Sequence, residues 1–86
     1  MKHRKMAYKD RVAQLPCCVC GEHGVELHHV REGQGMAQRA QDWLVVPLCP
    51  GCHRGPQGLH GDRTLMRIYK MDEMDMLAAT IEALNA

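Results

Sequence analysis

The sequence predicts a small α+β domain stapled by zinc, and three observations predict it. The chain has 86 residues with no Phe, two Tyr and one Trp, so Leu, Val, Met and Ile must fill whatever core exists. A core that thin usually needs a disulfide, a metal or a partner to become stable. Five Cys and six His supply such a staple. The third observation is their order: two Cys-x-x-Cys pairs enclose a segment with strand-like alternation, and helix-like periodicity follows. The Cys pairs tie the middle into one unit, so residues 1–86 read as a single domain. It divides into a basic N-terminal arm or helix over 1–14, a zinc-stapled core over 15–61 and C-terminal helices over 62–86.

Residues 4–14 are expected to form a short helix with Met6, Val12 and Leu15 inward. Pro16 ends it, because the residue before a proline is pushed out of the helical region. Cys17-Cys18-Val19-Cys20-Gly21 reads as a tight knuckle, and Val25 to Val30 partly alternates as a half-buried strand would. Gly33, Gln34 and Gly35 open a polar loop that ends near Asp42. Trp43 to Leu48 is a short apolar run, and Pro47 near its end suits an edge strand. A second knuckle, Cys49 to Cys52, leads into His53 and a glycine-rich turn over Gly55–Gly58. Asp62 is the expected N-cap of a helix carrying Leu65, Ile68 and Tyr69. Asp72 caps another, with Met74, Leu77, Ala78, Ile81 and Leu84 as its core stripe.

The N-terminus has no apolar run that could serve as a secretory signal, and nowhere do eighteen apolar residues follow one another. The expectation is a cytoplasmic protein without a membrane span. A reducing compartment and an odd number of Cys favour metal ligation over disulfides. The formal net charge of +1 conceals an asymmetry. Lys2, Arg4, Lys5, Lys9 and Arg11 crowd the start, whereas every charged residue after Lys70 is acidic. A basic arm of this kind can contact phosphates although the whole chain is balanced.

Cys17, Cys20, Cys49 and Cys52 match a four-Cys structural zinc site, since each pair sets two thiolates on one turn and a tetrahedral ion needs four. Cys18 has the wrong spacing and is the spare thiol. Four further histidines, His28, His29, His53 and His60, then ask for their own account. His28 and His29 are adjacent on a predicted strand, so their side chains diverge. One can ligate a cation while the other acts as a general base near neutral pH.

The motif string Cys17-x-x-Cys20, Leu27-His28-His29-Val30, Pro47-Leu48-Cys49-x-x-Cys52-His53 and His60 resembles the zinc-containing HNH endonucleases, the ββα-metal or His-Me finger class. Within that class it looks most like small phage and prophage proteins, including the phage recombination-enhancement nucleases. The resemblance covers roughly residues 15–61. It implies a ββα-metal finger in which His28, His53 and His60 hold a catalytic divalent metal and His29 deprotonates water. It also implies DNA as substrate, cut to a 5′-phosphate and a 3′-hydroxyl, and a role in phage or prophage DNA metabolism beside a recombination or packaging protein. The family's Asn would fall near Leu44. Asp42 and Gln41 are the nearest polar residues, and Asp42 is the candidate to orient the base in its place. The catalytic ion could be Mg²⁺, Mn²⁺, Ni²⁺ or Zn²⁺, because imidazole-rich ligation suits the later metals whereas Mg²⁺ prefers oxygen.

Lys2, Arg4, Lys5, Arg31, Arg39, Arg54 and Arg63 are the candidate phosphate contacts. No helix carries an evident set of base-reading side chains, so low sequence specificity is expected. The rival readings are a zinc-stabilised nucleic-acid-binding module that does not cut and a partner-binding zinc protein.

Overall fold

The computed structural model describes residues 2–31 and 41–86, with Lys2 and His3 described as backbone only. The described chain is a small compact α+β fold with one two-stranded sheet and four helices. Its elements are α1 (Lys2–Ala13), β1 (Glu26–His29), β2 (Val45–Leu48), α2 (Pro50–Arg54), α3 (Thr64–Ile68) and α4 (Glu73–Leu84). None of these helices is long and apolar enough to cross a membrane.

The strands pair antiparallel, Glu26 opposite Leu48 and His28 opposite Val46, with Pro47 opposite Leu27. A two-stranded sheet has only edge strands, which is why Pro47 is tolerated inside one. Pairing across the ladder puts Glu26, His28, Val46 and Leu48 on one face and Leu27, His29, Val45 and Pro47 on the other. Val46 and Leu48 join the main core with Cys17, Val30, Leu59, Leu65, Met76 and Leu77. The adjacent histidines therefore diverge as strand geometry requires, and His28 turns toward this core.

The first knuckle is bonded to the sheet, since the Cys18 amide donates to the Pro47 carbonyl at 3.0 Å. Gly21 and Gly24 both hold positive φ, 81° and 83°, around this turn, a backbone region that glycine enters without a Cβ clash. In α2, Pro50 occupies the first turn, where its missing N–H costs nothing. Five residues later the chain doubles back tightly. The Leu59 and His60 amides donate to the Cys52 and His53 carbonyls at 3.0 and 2.9 Å. A Cβ on Gly58 would lie 2.7 Å from the Cys52 oxygen, so a side chain there would hold the two segments apart.

Three sequence expectations require correction. In α1, Met6 is 61% exposed while Val12 is buried. Six residues is well over one and a half helical turns, so Met6 and Val12 cannot share a face; the inward stripe is Lys5, Tyr8, Lys9 and Val12. The N-cap position of α3 is Arg63, at φ 65°, rather than Asp62, although the Asp62 carboxylate still accepts from the Thr64 amide at 2.9 Å. Of this helix's apolar residues Leu65 is buried, whereas Ile68 and Tyr69 lie largely in solvent.

The third correction concerns α4. Its N-terminus is the capping box Asp72/Asp75, as the sequence suggested at Asp72. Its buried stripe, however, is Glu73, Met76, Leu77 and Thr80, and Met74, Ala78 and Ile81 face outward. An apolar count assigns Glu73 to the solvent side, yet a carboxylate can be buried when its acceptors are satisfied. That condition rotates the helix.

Candidate metal centres

The four cysteines of the two knuckles converge. The Sγ atoms of Cys17, Cys20, Cys49 and Cys52 all lie within 4.8 Å of one another, and Cys20 and Cys49 approach to 3.5 Å. Four sulfurs around a tetrahedral zinc at about 2.3 Å stand about 3.8 Å apart, so the spacing fits a structural ion. The acid–base chemistry of the thiols also suits a cation. Burial pushes Cys17 up, but the amides of Cys20, Cys49 and Val19 donate to its sulfur and bring it down to about 7. Burial raises Cys20 and Cys52, and hydrogen bonds with Cys49 and Cys17 add to the rise in both. Four thiolates at this separation repel one another unless a metal neutralises them. Cys18 lies apart from the tetrad, its thiol pushed up to about 12 by burial and by the charge of Cys17.

A second cluster sits at the end of α2. Nitrogens of His28, His53 and His60 also lie within 4.8 Å of one another. The ring centroids are 5.2 Å apart for His28 and His53, 5.3 Å for His28 and His60, and 4.6 Å for His53 and His60. Three elements deliver them: β1 supplies His28, α2 supplies His53, and the glycine turn folds His60 back beside His53. The glycine-rich turn between His53 and His60 therefore gathers these residues.

Each of two cluster imidazoles has a carboxylate on its far nitrogen. His28 Nε2 meets Glu73 Oε2 at 2.8 Å, and His53 Nδ1 meets Glu26 Oε1 at 2.8 Å. An ionised carboxylate only accepts, so each ring donates there and leaves its other nitrogen bare. This is the outer-shell arrangement that fixes the tautomer of a metal-ligating histidine. Burial drives the His28 imidazole toward its neutral form against the pull of Glu73, and neutral imidazole is the ligating species. The residues thus fit a divalent transition metal by donor type, tautomer and separation.

The carboxylates are held in turn. Glu73 also accepts from the Arg31 amide at 3.0 Å and lies 3.6 Å from the Arg63 guanidinium. Glu26 is gripped by Arg54, whose Nε donates to both carboxylate oxygens at 2.9 and 3.1 Å. The hydrogen bonds from Arg54, and then from His53, bring the Glu26 carboxyl down to about 2. Arg54, expected to face phosphate, is therefore bonded to Glu26 and braces His53 through it.

His29 turns to the α1 side, with Nε2 3.1 Å from Asp42 Oδ1, and Lys9 Nζ stands 3.6 Å from the same oxygen. The bond from His29 first, and Lys9 and Lys5 after it, lower the Asp42 carboxyl. His28, His29, His53 and His60 nevertheless line one open cleft of about 270 Å³, together with Leu27 and Arg31. Arg31 and Arg63 also flank a neighbouring hollow of about 350 Å³. Arg4 is exposed and Lys5 half-buried on α1. Arg39 and the Lys2 side chain lie outside the described residues.

A family model described as a protein of unknown function, DUF968, matches residues 1–81. The chain belongs to the DUF968 family. No curated protein and no solved structure matches it. The DUF968 match takes in both ligand clusters and reaches most of α4, so Glu73 falls within it alongside the cysteines and histidines.

Sequence reasoning missed Glu26 and Glu73. Glu26 was within reach, because it stands two residues before His28 on one strand face. Glu73 is 45 residues from its partner, and nothing local marks it. Glu73→Ala is expected to cost roughly 1–3 kcal/mol, since it strips the acceptor from the buried His28 ring and from the Arg31 amide. Urea unfolding measures it, and Glu73→Gln, which keeps an acceptor oxygen, should lose less. Equal midpoints for wild type and Glu73→Ala would show that the pair holds nothing together.

Proposed function

We propose that this DUF968 chain is a metal-dependent DNA endonuclease or nickase of the HNH class, a ββα-metal finger acting with low sequence specificity. The observation that carries the reading is the shared cleft. Three imidazoles whose nitrogens lie within 4.8 Å of one another line it, and a fourth imidazole, held by a carboxylate, lines it with them. The order β1, β2, α2, with His28 on the first strand and His53 on the helix, is the order such a finger requires.

The chemistry assigns each residue a task. A phosphodiester resists attack because of its charge and its poor alkoxide leaving group. A divalent cation held by His28, His53 and His60 would supply charge neutralisation at the phosphate and at the leaving 3′ oxygen. His29 donates its Nε2 proton to Asp42, which leaves Nδ1 free to take a proton from water. Asp42 stabilises the imidazolium that results and holds the ring in that tautomer, the task expected of the family's Asn. The water oxygen attacks phosphorus and the bond to the 3′ oxygen breaks; that oxygen takes a proton from solvent and the His29 imidazolium gives its proton up to solvent, so the products are a 5′-phosphate and a 3′-hydroxyl. Arg31, at the cleft, and Arg63, beside it, supply positive charge for the flanking phosphates.

The test is cleavage of supercoiled plasmid at low salt with Mg²⁺, Mn²⁺, Ni²⁺ or Zn²⁺ added in turn, accompanied by metal analysis. Wild type is expected to nick or linearise the plasmid and to hold one tight zinc plus one exchangeable ion. His53→Ala should lose the exchangeable ion and the cutting while keeping the zinc. Cleavage by none of the metals, on plasmid, single-stranded or branched DNA, would remove autonomous catalysis and favour a binding role.

A further inference from the structure

The chain has only three aromatic side chains outside its histidines, Tyr8, Trp43 and Tyr69, and two of them are in contact on the surface. Tyr8 of α1 and Trp43, two residues before β2, stand with ring centroids 5.0 Å apart and planes inclined at 54°. The contact helps seat α1 on the sheet, but it does not bury the indole, which remains 43% exposed. The core is aliphatic and has no use for that surface.

The position of the pair is informative. Trp43 directly follows Asp42, the residue that holds His29, and Tyr8 directly precedes Lys9, which reaches the same Asp42 oxygen at 3.6 Å. The aromatic pair is thus one residue along the chain from the two groups, Asp42 and Lys9, that meet beside His29. Arg4, Lys5 and Lys9 run along α1 beside it, and the first turn of α1 has no acidic residue. A large π surface next to a row of cations matches a nucleic-acid strand, whose phosphates take the cations and whose bases take the ring. Within a duplex each base face is covered by its neighbours, so only an unpaired base can offer its face to an indole. Tyr8 limits the motion of Trp43 before binding, which lowers the entropy lost on stacking.

We propose that Trp43, backed by Tyr8, is a stacking platform for an unpaired base of single-stranded DNA whose phosphates lie along Arg4, Lys5 and Lys9. The proposal deepens the nuclease reading and rests on it for the substrate's delivery to His29: the favoured substrate is a strand with unpaired bases.

Trp43 is the chain's one tryptophan, so its fluorescence reports the platform alone. Titrating the zinc-loaded protein with a short oligothymidylate is expected to quench that emission, whereas a blunt duplex of equal length at the same salt leaves it nearly unchanged. Trp43→Ala should weaken oligothymidylate binding about tenfold by fluorescence anisotropy of a labelled strand, and Trp43→Phe should keep most of it. Both variants are compared at equal zinc content and equal urea midpoint. If Trp43→Ala does not fold, wild-type quenching and Trp43→Phe still decide.

Absence of strand binding, a bound strand that leaves emission unchanged, or a duplex that binds and quenches equally overturns the proposal. Plasmid cleavage is scored separately. Cutting with an unquenched Trp43 would remove the platform and leave the nuclease reading standing. Quenching by the single strand without cutting would keep the platform and remove the nuclease.

Discussion

Cys49→Ser is expected to leave the chain unfolded at room temperature, and a strong chelator should do the same to wild type. Binding of a structural zinc contributes on the order of 10–16 kcal/mol in small metal-stapled units at neutral pH. The whole stability of a domain is about 5–15 kcal/mol. Among the described residues there is little else to draw on, because the hydrophobic core cluster holds no Phe, Tyr or Trp and the sheet has two strands. Loss of the ion also releases Cys17, which packs in the core, and the first knuckle bonded to Pro47. Far-UV circular dichroism with zinc analysis reads the effect. Cys18→Ala is the control: it removes a thiol outside the tetrad and should keep one zinc per chain. A folded Cys49→Ser protein without zinc would refute the staple.

The second large effect is on the proposed DNA cleavage. His29→Ala should lower plasmid cleavage by about 10²–10⁴-fold, the usual contribution of a positioned general base, and should leave zinc content and urea midpoint close to wild type. The separation is expected because the His29 ring is 38% exposed and its hydrogen bond goes to an equally exposed Asp42. Its neighbour behaves differently. His28 is buried and bonded to buried Glu73, so substituting it disturbs folding and metal together, and its loss of activity would be ambiguous. Unchanged cleavage by a folded His29→Ala protein would transfer the base role elsewhere and end the present assignment.

The contrast between these two histidines shows where local sequence stops being informative. Alternation along a strand separates His28 from His29 without any tertiary knowledge, because neighbouring side chains must diverge. Which of them would be buried depended on what covers each face. The His28 face meets α2 and α4, which bring His53 and Glu73, whereas the His29 face meets α1, which brings Lys9. The error in α4 has the same origin. Its apolar residues span more than one stripe, and the choice among stripes was made by a glutamate that finds His28 and the Arg31 amide in the interior.

Local chemistry made the metal ligands legible. A Cys-x-x-Cys turn aims both sulfurs the same way whatever surrounds it, and two such turns in a chain too thin to fold on apolar burial point to one ion. The thin core follows from composition, and each Cys pair, the strand bearing His28 and His29 and the cap at Asp72 follow from residues within a few positions of one another, where spacing dictates geometry. Tertiary structure alone decided the rest. The return of His60 to His53, the carboxylates on His28 and His53, the bond of Arg54 to Glu26 and the pairing of Tyr8 with Trp43 join groups from separate elements. The energy of those contacts depends on distance in space, which sequence separation does not encode.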